Sequence, residues 1–245
     1  MTIWEAFDFL ESTPVDESDP DTDKTQVRHS QFFLLSTTTR VAESCLPQDV
    51  HSYQTGEACR RLYPDEKYDW FHLTGFLHDL GKILCHPQFG EPQWAVVGDK
   101  NPVGCAFSEY IVYPDFFKHN PDIHDPRYNT KYGIYEPNCG LDNVLMNYGH
   151  DEYIHQVLTG NPCKLPAEAL FVLRYHSFYA WHQHNAYDYL CNDRDREFLH
   201  WSKEFQKCDL YSKSDKPEDI PDPKKLRPYY DSLIKKYFPV EKLKW

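Results

Sequence analysis

No apolar run in this chain approaches the roughly 18 residues needed to span a bilayer, so nothing in it reads as a membrane segment. Basic residues are outnumbered: 26 Lys and Arg against 38 Asp and Glu give a formal charge of −12. That balance argues against nucleic acid or an anionic membrane surface as partner, because both require clustered Lys and Arg. The opening Met1–Ala6 lacks the basic and apolar regions of a secretory signal, which points to the cytoplasm. The eight cysteines form no C-x-x-C pair, which argues against a structural zinc or iron–sulfur site. In a chain of 245 residues they read as free thiols of a reducing compartment. Internal repeats and low-complexity tracts are missing, and there is too little period-2 alternation for a sizeable sheet.

What is present suits a packed helical domain. The length is enough to bury a substantial core, and an aromatic content of 16% with 13 His argues against disorder. Apolar spacing predicts a short amphipathic helix over Ile3–Leu10, followed by an acidic, Pro-broken loop over 11–25. Residues 26–46 carry an apolar tetrad and a β-branched run and leave the element type open. His51, Thr55, Ala58 and Leu62 fall on one stripe of a helix. The clearest helix spans Asp69–Leu84, where Leu73, Phe76, Leu77, Leu80, Ile83 and Leu84 recur at threes and fours. Residues 86–140 are rich in Pro, Gly, Tyr and Asn and read as a long irregular region, of the kind that often builds sites. Further helices are predicted over Leu141–Tyr148, from Pro166 onward, over 194–212 and over Tyr229–Tyr237, with Pro217–Pro228 as a linker.

Three His-Asp pairs stand at 78–79, 124–125 and 150–151. Taken singly, such a pair is most often a surface or capping pair. The first differs because it adjoins an apolar stripe, so at least one member must point inward. A buried carboxylate needs a cation or metal to stay charged. Lys82, one helical turn after Asp79, supplies an ordinary ion pair as the simpler alternative. The same oddity recurs: His51 begins a predicted helix, His150 ends one after Tyr148-Gly149, His176 lies within Leu173–Ser177, and Asp209 sits beside Cys208 with Lys213 at i+4. Imidazoles and carboxylates at the inner edges of several helices are what a two-metal site uses, and that donor set suits iron or manganese.

These segments resemble the myo-inositol oxygenase family of the HD-domain superfamily. The matching stretches are Trp70–Lys82, Gly90–Asp99, Cys139–Asp142, Tyr148–Tyr153, Tyr175–Tyr179 and Leu226–Tyr230, with Asp16–Asp21 as an additional match. The resemblance implies an all-α HD-domain helical bundle around a di-iron centre, in one domain over 1–245. It implies that one iron takes His51, His78 and Asp209, that the other takes His150 and His176, and that Asp79 bridges them. It assigns substrate contacts to Asp16, Glu17, Ser18, Lys82, Gly98, Asp99, His176 and Ser177, with Lys213 as a further one. Catalytic roles fall to Lys82 and Asp79.

The implied activity is that of an oxidoreductase: O2-dependent cleavage of the myo-inositol ring to D-glucuronate, with two non-haem irons, as a mixed-valent Fe(II)/Fe(III) pair, per chain. The implied protein is a cytoplasmic monomer. An HD-type metal-dependent phosphohydrolase is the alternative enzyme, since Lys82 and Lys213 can also hold a phosphate. A metal-binding product with impaired catalysis is the other alternative. Two departures from the family pattern are expected: the family's N-terminal extension is missing before Met1, and residues at about 24–50 form an atypical insertion.

Overall fold

The structure, a computed structural model, describes residues 1–13, 48–210 and 220–245. Its elements are helical. Among the described residues no strand forms, and two isolated bridges, Thr2 with Lys242 and Pro102 with Met146, are the nearest approach to a sheet. No described helix is long and apolar enough to cross a membrane.

Helix α1 (Ile3–Ser12) opens with a capping box, in which the Thr2 side chain accepts from the Glu5 amide and the Glu5 carboxylate accepts from the Thr2 amide. Its buried face is Ile3, Ala6, Phe7 and Leu10, the spacing of one helical stripe. Helix α2 (Gln48–Leu62) packs against α3 (Asp69–Leu77) at very short range. A Cβ on Gly75 of α3 would stand 2.9 Å from Cys59 Sγ and 3.0 Å from the Gly56 Cα of α2. Glycine at that crossing lets the two backbones meet, and this brings the rings of His51 and His78 to 5.1 Å between centroids.

The helix predicted over Asp69–Leu84 is broken. It is α-helical to Leu77 and continues as a 3₁₀ segment over Leu80–Cys85, with His78 and Asp79 at the joint. Asp79 has φ −92° and ψ 0°, off the α-helical basin. The apolar spacing runs on through the break because a 3₁₀ turn also buries every third residue, so periodicity could not reveal it. The break coincides with close packing: a Cβ on Gly81 would lie 1.9 Å from the His150 carbonyl oxygen, so only glycine fits there.

After the short α4 (Gln93–Val96), residues 97–149 hold only 3₁₀ turns, as the composition indicated. The helix expected over Leu141–Tyr148 is instead a turn at Leu141–Asn143 followed by extended backbone. His150 therefore begins a helix, α5 (His150–Thr159), rather than ending one after Tyr148-Gly149. The chain continues through α6 (Ala167–Tyr175), with Pro166 as its N-cap, and α7 (Tyr179–His184). Next comes α8 (Asp193–Asp209), opened by an Asn192/Asp195 capping box. Last is α9 (Pro223–Tyr237), which takes Pro228 into its interior where a linker was expected.

One core cluster joins α1, α3, the 3₁₀ segment, α5 and α9, with Phe7, Phe76 and Tyr230 stacked in series. A second packs the irregular region against α6 and α7 around Tyr175, Phe178 and Trp181. The seven described cysteines are free thiols, as expected. The insertion expected at about 24–50 lies outside the described residues except for its last three, which start α2.

Candidate metal centre

The six residues proposed as ligands converge, and five of them stand at helix ends or joints. His51 lies in the second turn's approach on α2, His78 closes α3, and Asp79 follows it in the joint. His150 is the first residue of α5, His176 closes α6, and Asp209 is the last residue of α8. All six are buried; His51 is the most exposed at 6%.

Asp79 is the hinge of the geometry. Its Oδ2 faces His51 Nε2 at 3.7 Å and His78 Nε2 at 3.4 Å. Its Oδ1 faces His150 Nε2 at 3.5 Å and His176 Nε2 at 3.9 Å. Asp209 Oδ1 joins the first group, 2.8 Å from His51 Nε2 and 3.3 Å from His78 Nε2. Two clusters able to hold a metal ion result, His51/His78/Asp79 and Asp79/His150/His176, sharing one carboxylate.

The imidazoles are oriented from behind. His78 Nδ1 donates to the Gly75 carbonyl at 2.8 Å, His150 Nδ1 to Val96 at 2.9 Å and His176 Nδ1 to Leu173 at 3.1 Å. A carbonyl only accepts, so these three Nδ1 atoms carry hydrogen, and a neutral ring then presents a bare Nε2 to the centre. His150 and His176 point these Nε2 atoms at each other across 3.1 Å. Two lone pairs at that distance repel, so the contact needs either a shared proton or a metal ion between them. Imidazole nitrogens bound at roughly 2.1 Å and at right angles stand about 3 Å apart. His78 Nε2 and Asp79 Oδ1 are buried without a hydrogen-bond partner, and Asp79 Oδ2 meets Lys82 Nζ as an ion pair at 3.1 Å. Buried ligand atoms of this kind, all imidazole and carboxylate, fit transition-metal ions.

The electrostatics of the metal-free site agree with this reading. Burial works to push His78 down, but the Asp79 and Asp209 carboxylates outweigh it and hold the imidazole up at about 10. Burial works to raise Asp79, and His78, Lys82 and His150 together hold it well below the usual carboxylate range. Burial, followed by the neighbouring His150 and His78, pushes His176 down to about 4.

Lys82 is fully buried, with Nζ 3.1 Å from Asp79 Oδ2. Gly98 has φ +115°, a region that favours glycine. Asp99 accepts from the Val112 amide at 2.9 Å through its carboxylate, which pins the irregular segment beside α4. Ser177 donates its hydroxyl to Asp151 Oδ2 at 2.7 Å. Asp16, Glu17, Ser18 and Lys213 lie outside the described residues. The remaining His-Asp pairs divide: Asp125 is held by Arg127 in a surface turn, and Asp151 turns away from the metal clusters toward Lys100 at 3.0 Å. Lys100 and Gly81 escaped the sequence reading. Gly81 could have been suspected from its place directly after the His78-Asp79-Leu80 stretch, whereas no local signal marks Lys100.

The family profile described as myo-inositol oxygenase matches residues 41–245. The inositol oxygenase of Dictyostelium discoideum is 51% identical over the whole chain, which spans 75% of that relative. Inositol oxygenase 1 of Arabidopsis thaliana is 52% identical over the whole chain, which spans 70% of it. The inositol oxygenase of Homo sapiens is 49% identical over 98% of the chain, 74% of its own length.

Proposed function

The chain belongs to the myo-inositol oxygenase family, and we propose that it cleaves the ring of myo-inositol with O2, giving D-glucuronate, at a di-iron centre held by His51, His78, Asp79, His150, His176 and Asp209. The observation that carries the site assignment is the division of Asp79, whose two oxygens face two separate groups of imidazoles. The phosphohydrolase alternative gains no support, since the matched profile and relatives are inositol oxygenases.

A bound iron pair supplies Lewis acidity toward a coordinated hydroxyl and the redox capacity that dioxygen chemistry needs. The rest of the work falls to side chains. The carbonyls of Gly75, Val96 and Leu173 fix three imidazoles before any ligand arrives, so no reorganisation is needed when it does. Lys82 brings an ammonium to the Asp79 edge, where it orients a substrate hydroxyl and offsets negative charge developing on its oxygen. Phe205 lies 5.3 Å from the His78 ring and 6.0 Å from the His176 ring, which keeps that flank dry. A polyol carries no charge to grip, so recognition rests on hydroxyl partners. Gly98, Asp99, His176 and Ser177, with Asp16, Glu17, Ser18 and Lys213, take that role in this reading.

The test is anaerobic loading with iron, a metal count, and parallel measurement of O2 uptake and glucuronate on adding myo-inositol. One glucuronate per O2 is expected. A protein carrying two irons that makes no glucuronate would refute the assignment, and release of phosphate from nucleotides instead would identify the phosphohydrolase.

A further inference from the structure

Lys100 is 1% exposed, one of the largest fully buried side chains in the protein. Its ammonium lies between two carboxylates, 3.0 Å from Asp151 Oδ1 and 3.1 Å from Glu152 Oε2. Arg174 also holds Glu152, its Nε donating to the same Oε2 at 2.9 Å and its Nη2 to Oε1 at 3.1 Å. Arg174 also reaches Asp142 Oδ1 at 3.2 Å, so two cations face three carboxylates under the first turn of α5. A buried ammonium is costly unless it is paired in this way, so the arrangement needs a reason beyond packing.

The network adjoins two of the proposed ligands. Asp151 follows the ligand His150, and Ser177 follows the ligand His176. Ser177 donates its hydroxyl to Asp151 Oδ2 at 2.7 Å, while the Lys100 amide donates to the Ser177 carbonyl at 3.0 Å. Lys100 therefore holds the 176–177 turn twice, through its own backbone and through the Asp151 carboxylate. A serine has one proton to give. Here that proton is committed to Asp151, and the Ser177 oxygen is left with lone pairs only.

We propose that Lys100 is a positioning residue for substrate recognition: by holding Asp151 as an acceptor it commits the Ser177 proton, so that Ser177 meets the substrate only as an acceptor of a hydrogen bond. The ligand class that follows is a polyol with a free hydroxyl at that position, rather than an ether or ketone there. This inference rests on Ser177 being a polyol contact, as read above.

The experiment is a double-mutant cycle on the iron-loaded full chain, with myo-inositol as probe. Lys100→Met and Ser177→Ala are made singly and together. Folding is checked by circular dichroism, iron is counted, and inositol affinity is read by anaerobic titration beside KM and kcat. Losing one well-placed hydrogen bond weakens binding about tenfold. Lys100→Met is expected to raise Kd and KM by about that factor, with iron content unchanged and kcat within about threefold. In the Ser177→Ala background it is expected to add less than about twofold. An equal factor in both backgrounds, or an unchanged Kd in the folded single variant, overturns the proposal while leaving the oxygenase reading intact. If the parent chain binds no inositol, both fall together. Should Lys100→Met not fold, Asp151→Asn takes its place: the amide keeps the shape but no longer enforces an acceptor, and the same dependence on Ser177 is required of it.

Discussion

Replacing Asp79 with Asn keeps the shape of the side chain and removes the charge that both ligand groups share. In the metal-free protein this carboxylate lies 3.1 Å from Lys82 Nζ and 3.4 Å from His78 Nε2, all fully buried. Breaking a buried pair from one side costs about 3–5 kcal/mol. Asp79 is also one of the groups that hold His78 charged. Without it burial draws that imidazole toward its neutral form, which relieves part of the imbalance and favours the lower figure, about 3 kcal/mol. Typical domains have only about 5–15 kcal/mol of stability, so urea titration resolves the loss easily. The loaded protein is hit harder. A carboxamide has a single acceptor oxygen, so it can serve one ligand group and not both. Metal content is expected to fall from two ions to one or fewer. Asp209→Asn is the control, because Asp209 Oδ1 faces His51 and His78, and that variant should keep the ion on the His150/His176 side. Both variants are loaded anaerobically, desalted and counted by elemental analysis. Two ions at full occupancy in Asp79→Asn would show that the carboxylate is not a bridge.

Lys82→Met should keep both metals and lose turnover by about 100-fold, the usual scale for removing one electrostatic contact to a transition state; near-normal turnover with intact metal removes Lys82 from the mechanism. Gly81→Ala should destabilise the fold and lower metal content, because its Cβ has no room beside the His150 carbonyl; a parent-like melting temperature and metal count would contradict the close packing. Metal uptake should release a proton near neutral pH, since His78 is held up at about 10 in the metal-free protein and must bind as the neutral ring. Metal affinity is therefore expected to rise with pH. In the metal-free fold the same group contributes stability that is complete below its unfolded value near 6.5 and is lost as pH rises through about 10. Calorimetry in buffers of different ionisation heat measures the proton release, and a pH-independent affinity would contradict it.

The sequence by itself determined the helical class, the free thiols and the identity of the six converging residues. Ligand chemistry is carried by residue type, and the long stretch around His78-Asp79 and the one around His150 are specific enough to be recognised. Helix spacing placed α1, α3, α6 and α8, because each carries apolar residues at threes and fours in the chain order, even in α3, which is buried on nearly every side. It failed where two local structures share a period or where distant contacts choose between them. The break at His78-Asp79 is one such place: an α-turn and a 3₁₀ turn both bury every third or fourth residue, and the joint lies where the His150 backbone packs directly on Gly81, a contact between distant parts of the chain. The segment Leu141–Tyr148 is another. Its helical spacing is real, yet it runs extended beside the irregular region, with Val103 donating to the Leu145 carbonyl and Asn147 to that of Asn101. That displacement moved His150 to the start of a helix. The direction of each side chain was likewise a tertiary matter. Asp79 and Asp151 both follow a histidine, but one turns its two oxygens to the imidazoles and the other turns to Lys100 and Ser177. Which way a carboxylate points depends on what other parts of the chain bring to it, and a lysine 51 positions away is invisible to any local pattern.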